Sequence, residues 1–296
     1  MLAQQLLNGV VVGSVYALFA LGFTLVFGIN RVLNLAHGAI FTVGAFAALY
    51  AITLLDAPLP VAALLAILAG GVASVLIDLV CFRPLRRREA PEFAAIVSSI
   101  GAGLILTSLA QQVSNTQVMR FPFGTFHVVV WRVWGLRLQL LQLVIIGAVA
   151  LIVLALLAYL YRTEAGRRIR AVAISERTAQ LLGINPAAVF AQVFFIAGAL
   201  AGAAGLLIGL AFNSVHYVMG EPLLLRAFVV VVLGGMGSIA GAVLAGLLLG
   251  IVQSLSVAYA SSGVADAVVF SLLFVALLAR PNGLFGTVGA GRVVRA

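Results

Sequence analysis

Gln139-Leu140-Leu141-Gln142-Leu143-Val144-Ile145-Ile146-Gly147-Ala148-Val149-Ala150-Leu151-Ile152-Val153-Leu154-Ala155-Leu156-Leu157-Ala158-Tyr159-Leu160-Tyr161 runs directly into Arg162-Thr163-Glu164-Ala165-Gly166-Arg167-Arg168-Ile169-Arg170. The first stretch carries no charge and, as a helix, is long enough to cross bilayer hydrocarbon, which takes about 20 apolar residues. The second is an arginine cluster of the kind that flanks a membrane span on its cytoplasmic side. Without polar positions at helical spacing, the first stretch does not read as a surface helix of a soluble protein. The junction therefore reads as a transmembrane helix that ends in a cytoplasmic loop.

Composition extends that reading to the whole chain. Apolar residues fill 64% of the 296 positions and charged residues 8%, with a mean hydropathy of +1.24; a soluble domain needs far more charge to cover its surface. Apolar runs recur at 5–28, 39–55, 59–82, 93–111, 139–161, 187–212, 239–259 and 264–280. They predict an all-α, polytopic transmembrane helical bundle of about eight full spans, forming one membrane domain over 1–296. The shorter run Pro222–Leu233 is cut off by Gly234, Gly235 and Gly237. It reads as a ninth, short or broken helix lining a protein-enclosed cavity, the alternative being one long helix with a glycine-rich kink. Met1–Gln5 lacks the basic flank of a cleaved signal peptide, and the lone Cys81 cannot form an internal disulfide.

Charge placement sets the expected orientation. Arg31 follows the first span, Arg83, Arg86, Arg87 and Arg88 the third, and Arg162, Arg167, Arg168, Arg170 and Arg177 the fifth. Placing these in the cytoplasm leaves the N-terminus outside. The tail arginines Arg280, Arg292 and Arg295 join them if the 222–234 segment carries the chain inward. Gln112–Leu138 then forms an extracytoplasmic segment, with His127–Trp131 and Trp134 at the interface. The net charge of +9 reads as this topology and as contact with membrane lipid, with no nucleic acid bound. Gly9/Gly13, Gly198/Gly202, Gly237/Gly241 and Gly246/Gly250 recur at the spacing of helix-packing faces in lipid.

Lysine is absent, which excludes a P-loop and a Schiff-base site; any ATP that drives the protein must be bound by a partner, and no cofactor is expected in this chain. The Val229–Leu233 run with Gly235-Met236-Gly237-Ser238-Ile239-Ala240 mimics a dinucleotide fingerprint, but no βαβ alternation surrounds it and no acidic residue lies about 20 positions on. His37, His127 and His216 lack ligand spacing, and no nucleophile elbow occurs. Hence neither a catalytic nor a metal site is expected. Asp78 is expected to pair with the arginines after it. Glu221, Arg226 and Asp266 are placed near the outer surface, which leaves no mid-membrane carboxylate for a proton- or sodium-coupled carrier.

The cytoplasmic loop 162–186 reads as one short helix. Thr163 caps its start, Gly183, Asn185 and Pro186 end it, and Ala171, Ile174, Thr178 and Leu181 form a mildly apolar stripe. Such a helix can dock into a partner's groove or lie on lipid headgroups. The loop resembles the coupling loop of ABC importer permeases, and more narrowly that of the branched-chain amino acid permeases, through Arg162, Thr163, Gly166, Arg167, Arg170, Ala171, Glu176, Ala179, Gly183, Ile184 and Asn185. Further blocks agree: Asn8-Gly9, Gly13–Leu18, Ala20–Gly28, Asn34–Gly38, Val232–Ser238 and Arg280–Gly286. Ser175-Glu176 departs from the family's frequent acidic pair, and permeases for urea and short amides look similar.

The resemblance implies the membrane subunit of an ATP-driven importer in the cell inner membrane, not an enzyme. It implies three kinds of partner: a second related permease subunit, two cytoplasmic ATPases, and an extracytoplasmic solute-binding protein. It assigns coupling to Gly166, Arg170, Ala171, Glu176, Ala179, Gly183 and Ile184. Asn8, Asn34, His37, Gly234, Gly235 and Gly237 are the candidates for the translocation pathway. The rival reading is an ATP-independent channel for a small neutral solute, which needs no docking loop.

Overall fold

The structure, a computed structural model, describes residues 2–126, 129–133, 136–280 and 283–285. The chain forms helices α1 (Leu2–Asn30), α2 (His37–Leu55), α3 (Leu59–Ile77), α4 (Arg83–Arg87), α5 (Glu92–Ser114), α6 (Leu140–Arg162), α7 (Glu164–Ile174), α8 (Glu176–Leu181), α9 (Pro186–Phe212), α10 (Gly220–Gly234), α11 (Ile239–Tyr259) and α12 (Ser262–Ala279). A π turn, Asp78–Phe82, fuses α3 and α4 into one run. Among the described residues, seven helices are long and apolar enough to cross a membrane: α1, α2, the Leu59–Arg87 run, α5, α6, α9 and α11. The eighth predicted span, α12, has a shorter apolar stretch, Gly263–Leu278. Residues 222–234 belong to a separate helix, α10, rather than to one long kinked helix. Among the described residues the regular structure is helical apart from a small antiparallel hairpin, β1 (Val130–Val133) with β2 (Leu136–Gln139), at the end of the 112–138 segment. His127, Trp134, Arg292, Arg295 and part of the 280–286 block lie outside the described residues.

Close backbone approach holds the bundle together. Lipid tails are as apolar as leucine, so helices gain little by hiding leucine from lipid and associate instead by packing. α1 and α9 are buried along most of their length, and α1 packs most extensively on the antiparallel α11. A Cβ on Gly13 would stand 2.9 Å from the Gly246 carbonyl oxygen, and one on Gly250 would collide with the Gly13 backbone. Of the predicted glycine pairs, Gly9/Gly13 and Gly246/Gly250 mark the seam between α1 and α11, whereas Gly198 and Gly202 lie against α3 and Gly241 against Gly234.

Two segments re-enter the bundle from opposite ends. After α1 ends at Asn30, residues 31–36 turn back inside. α2 begins with His37 against Phe19 and Phe23 of α1, its ring centroid 4.6 Å from that of Phe19. After α9 ends at Phe212, Val215 pairs with Met119 at the other end, and the chain descends to Gly220. There α10 starts in backbone contact with Gly38. α10 then runs to the first end, where Gly237 approaches Gly28. The last described residues cap it: Leu284 N–H donates to the Leu233 carbonyl and Phe285 N–H to that of Gly234, at 2.8 and 3.1 Å. Those carbonyls have no partner within their own helix, so the strap satisfies them.

Candidate functional site

At the end of the bundle that carries Asn30 and the α4 arginines, α7 and α8 form a hairpin between α6 and α9. The predicted single helix is broken at Ser175. Its backbone is extended (φ −155°), and its side chain accepts from Thr178 N–H, capping α8. Thr163 caps α7 by accepting from Gly166 N–H at 3.0 Å, while its hydroxyl donates to the Tyr159 carbonyl at 2.6 Å. Gly166 lies against the Tyr159 and Leu160 carbonyls, leaving no space for a Cβ. The Arg170 guanidinium donates to the Leu160 carbonyl and sits over the Tyr161 ring, satisfying an open carbonyl at the end of α6. These residues set the angle at which the hairpin leaves the membrane body.

The α8 turn is closed by a Schellman motif: Gly183 N–H donates to the Gln180 carbonyl and Ile184 N–H to that of Ala179. Gly183 has φ +80°, in the left-handed region open to glycine at no steric cost. Asn185 then caps α9 through Ala187 N–H at 3.0 Å, with Pro186 at the first helical position. Ile169, Val172 and Ala179 point inward and are buried, whereas Ala171 is half-buried. The predicted stripe is therefore split: Ala171 stays with the body, while Ile174 (82% exposed) and Leu181 (83%) face outward, joined by Leu182 (74%). Three large exposed aliphatic side chains on one short hairpin form an apolar tip, a feature that marks contact surfaces.

Behind the tip lies a cleft of about 210 Å³ lined by Asn30, Arg86, Glu92, Glu176 and Phe190 among others. Arg86 Nη2 pairs with Asp78 Oδ1 at 2.7 Å, donates to Asn30 Oδ1 through Nη1, and stacks 4.2 Å from the Phe190 ring centroid. Asp78 is fully buried in the π turn, a helix defect frequent at functional sites. The expected pairing of Asp78 is present, and it ties together α1, the α3–α4 run and α9. Glu176 lines this cleft from the side of the hairpin.

The pathway candidates fall in three separate places. Asn8 lies near the opposite end, where it accepts from Gln142 Nε2 at 3.1 Å and joins α1 to α6. Asn34 and His37 are buried together at the inner start of α2, where Asn34 Oδ1 accepts from Ala36 N–H. Gly234, Gly235 and Gly237 make the turn from α10 to α11, with positive φ at Gly235 and Gly237. Arg226 and Asp266, both expected near the outer surface, form an ion pair of 3.0 Å between α10 and α12.

The fold is that of a multi-pass membrane protein, and its outward-facing hairpin presents an apolar tip. The chain belongs to the family described as branched-chain amino acid transport system / permease component, whose profile matches residues 5–278. The permease protein BraD of the high-affinity branched-chain amino acid transport system of Pseudomonas aeruginosa is 34% identical over 294 residues, 96% of this chain and 95% of that protein. LivH, the corresponding permease protein of Escherichia coli, is 34% identical with the same coverage, and LivH of Salmonella typhimurium is 33% identical.

Proposed function

We propose that this chain is the membrane-spanning permease subunit of an ATP-driven importer of the inner membrane, moving branched-chain amino acids delivered by an extracytoplasmic solute-binding protein. The observation that carries the reading is the family match across nearly the whole chain, with relatives of matching length. Two cytoplasmic ATPases dock on the 162–186 hairpin, and a second permease subunit completes the pathway. The N-terminus and the 112–138 segment face outside, and this chain binds no ATP and catalyses no reaction. Arginine placement supports the orientation: Arg31, Arg83, Arg86–Arg88, Arg162–Arg177 and Arg280 gather at one end, and Arg120, Arg132 and Arg137 at the other.

The hairpin converts docking into helix motion because its attachments are rigid. Gly166 and Arg170 lock α7 to the end of α6, and the Gly183–Pro186 turn locks α8 to the start of α9. ATP-driven movement at the apolar tip is thereby passed to α6, α9 and, across the Glu176 cleft, α1. A shift between two bundle packings follows, with the cavity opening to one face or the other.

The test is reconstitution. The permease pair, ATPases and binding protein in liposomes take up radiolabelled leucine only when ATP is supplied on the ATPase side. Leucine passage without ATP would support the channel reading, and ATP-driven uptake of urea or a short amide in place of leucine would move the solute class.

A further inference from the structure

Where α10, α11, α12 and α1 meet, four polar side chains converge. Arg226 donates through Nη2 to Asp266 Oδ1 at 3.0 Å and through Nη1 to the Tyr16 hydroxyl at 2.9 Å. With its amide oxygen turned toward the guanidinium, Gln253 accepts from both Arg226 nitrogens at 3.2 Å and donates to the Tyr16 hydroxyl at 2.7 Å. Tyr16 then accepts twice, and its own proton is left free to donate. Tyr16 is buried, yet Arg226 keeps 20% and Asp266 55% of its side-chain surface open. Phe270, one turn from Asp266 on the same face of α12, is exposed as well.

A half-open carboxylate beside a partly open guanidinium does not suit hydrocarbon; charged groups in membrane spans face a protein interior or a watery passage. An internal strut, for its part, has no need of an open carboxylate. We propose that Arg226, Asp266, Tyr16 and Gln253 form a zwitterion-binding site on the wall of the translocation passage. The α-carboxylate of an amino acid bonds to the remaining guanidinium donor, Nε–H, and to the free Tyr16 proton, its α-ammonium bonds to the open side of Asp266, and its aliphatic side chain lies along Phe270. The site rests on the proposed importer function and sharpens it, because urea and neutral amides lack both charges.

The test uses the complete complex in liposomes with saturating binding protein, reading leucine uptake and ATP hydrolysis together. Arg226→Gln and Asp266→Asn each lose a charge-assisted contact and lower leucine uptake about tenfold or more, while ATP hydrolysis stimulated by the binding protein persists. The double exchange Arg226→Asp with Asp266→Arg keeps an ion pair but sets the wrong charge beside Tyr16 and Gln253, so uptake stays low. Recovery of uptake in that double variant makes the pair a structural strut and overturns the proposal, as does unchanged uptake in both single variants. Where these charge variants fail to assemble, Tyr16→Phe, which removes one hydroxyl, decides: reduced leucine uptake is expected, and uptake equal to wild type overturns the site. Failure of the wild-type complex to move leucine with ATP strikes the importer function itself and is seen before any variant is made.

Discussion

Gly183→Ala isolates the backbone geometry of the docking hairpin from its side-chain contacts. A Cβ built on Gly183 meets nothing within 4 Å, so added bulk costs nothing; the strain comes from φ +80°. The left-handed region costs a residue with a Cβ roughly 1–2 kcal/mol, and asparagine tolerates it far better than alanine. The hairpin is exposed at this point, so an undocked alanine variant relieves the strain by opening the turn, and docking must restore it. One kcal/mol corresponds to about a fivefold change in an equilibrium. Titrating purified ATPases onto the permease in detergent should therefore give about fivefold weaker binding for Gly183→Ala and less than about twofold for Gly183→Asn. Melting of the membrane body should be unchanged in both, because the turn lies outside it. If asparagine weakens binding as much as alanine, the partner packs against position 183 itself. If alanine is silent, the left-handed turn is not required for docking. Either result refutes the reasoning.

Ile174→Asp and Leu181→Asp should abolish co-purification of the ATPases while leaving thermal stability within about 0.5 kcal/mol, since both side chains are exposed in the isolated chain; a large loss of stability would mean the tip packs on its own body. Asp78→Ala leaves the Arg86 guanidinium without its carboxylate inside the bundle and should cost about 3 kcal/mol, read as a lower unfolding temperature in detergent. An unchanged temperature would show that Asn30 and Phe190 suffice for Arg86. Gly250→Leu forces side-chain bulk into the Gly13 backbone and should cost about 3 kcal/mol or more, whereas Gly147→Leu, with open space at its Cβ, should fold normally. Equal yields of the two variants, measured by gel filtration, would remove the glycine seam from the account.

Much of this architecture was legible because membrane spans are written in a local code. A run of about 20 apolar residues has one physical solution in lipid, a helix with all its backbone bonds satisfied internally. The hairpin's outer caps were legible for the same reason, since Thr163, Gly183, Asn185 and Pro186 act on their immediate neighbours. The break at Ser175 also had a local signal, a serine followed by Glu176 at the first position of a new helix, but a single helix over the same residues satisfied the periodicity equally well. The Arg226–Asp266 pair spans 40 positions and is created by the packing of α10 on α12, so no spacing rule reaches it. The depth of His37 was hidden too, because re-entry of residues 31–36 is fixed by contacts with Phe19, Gly22 and Ser99 rather than by composition.

That re-entry explains why polar groups gather inside an otherwise apolar bundle. A helix that starts at the membrane surface shows its free N–H groups to water; one that starts inside must find partners for them in the protein. α2 does so with Asn34, whose side chain accepts from Ala36 N–H, while Ser99 of α5 accepts from Leu35 N–H at 3.1 Å. The start of α10 lies against the same place, where Gly38 and Gly220 meet backbone to backbone. α2 and α10 start from opposite ends, so their N-termini, each bearing a partial positive charge, face a shared interior rather than one surface. At their junction Gly38 and Gly220 meet backbone to backbone, with Leu224 beside Gly38. α10 also carries Arg226 toward α12 and ends under the 283–285 strap. A displacement of α10 would therefore be felt at the interior glycine contact, at the ion pair and at the end of the bundle that bears the hairpin.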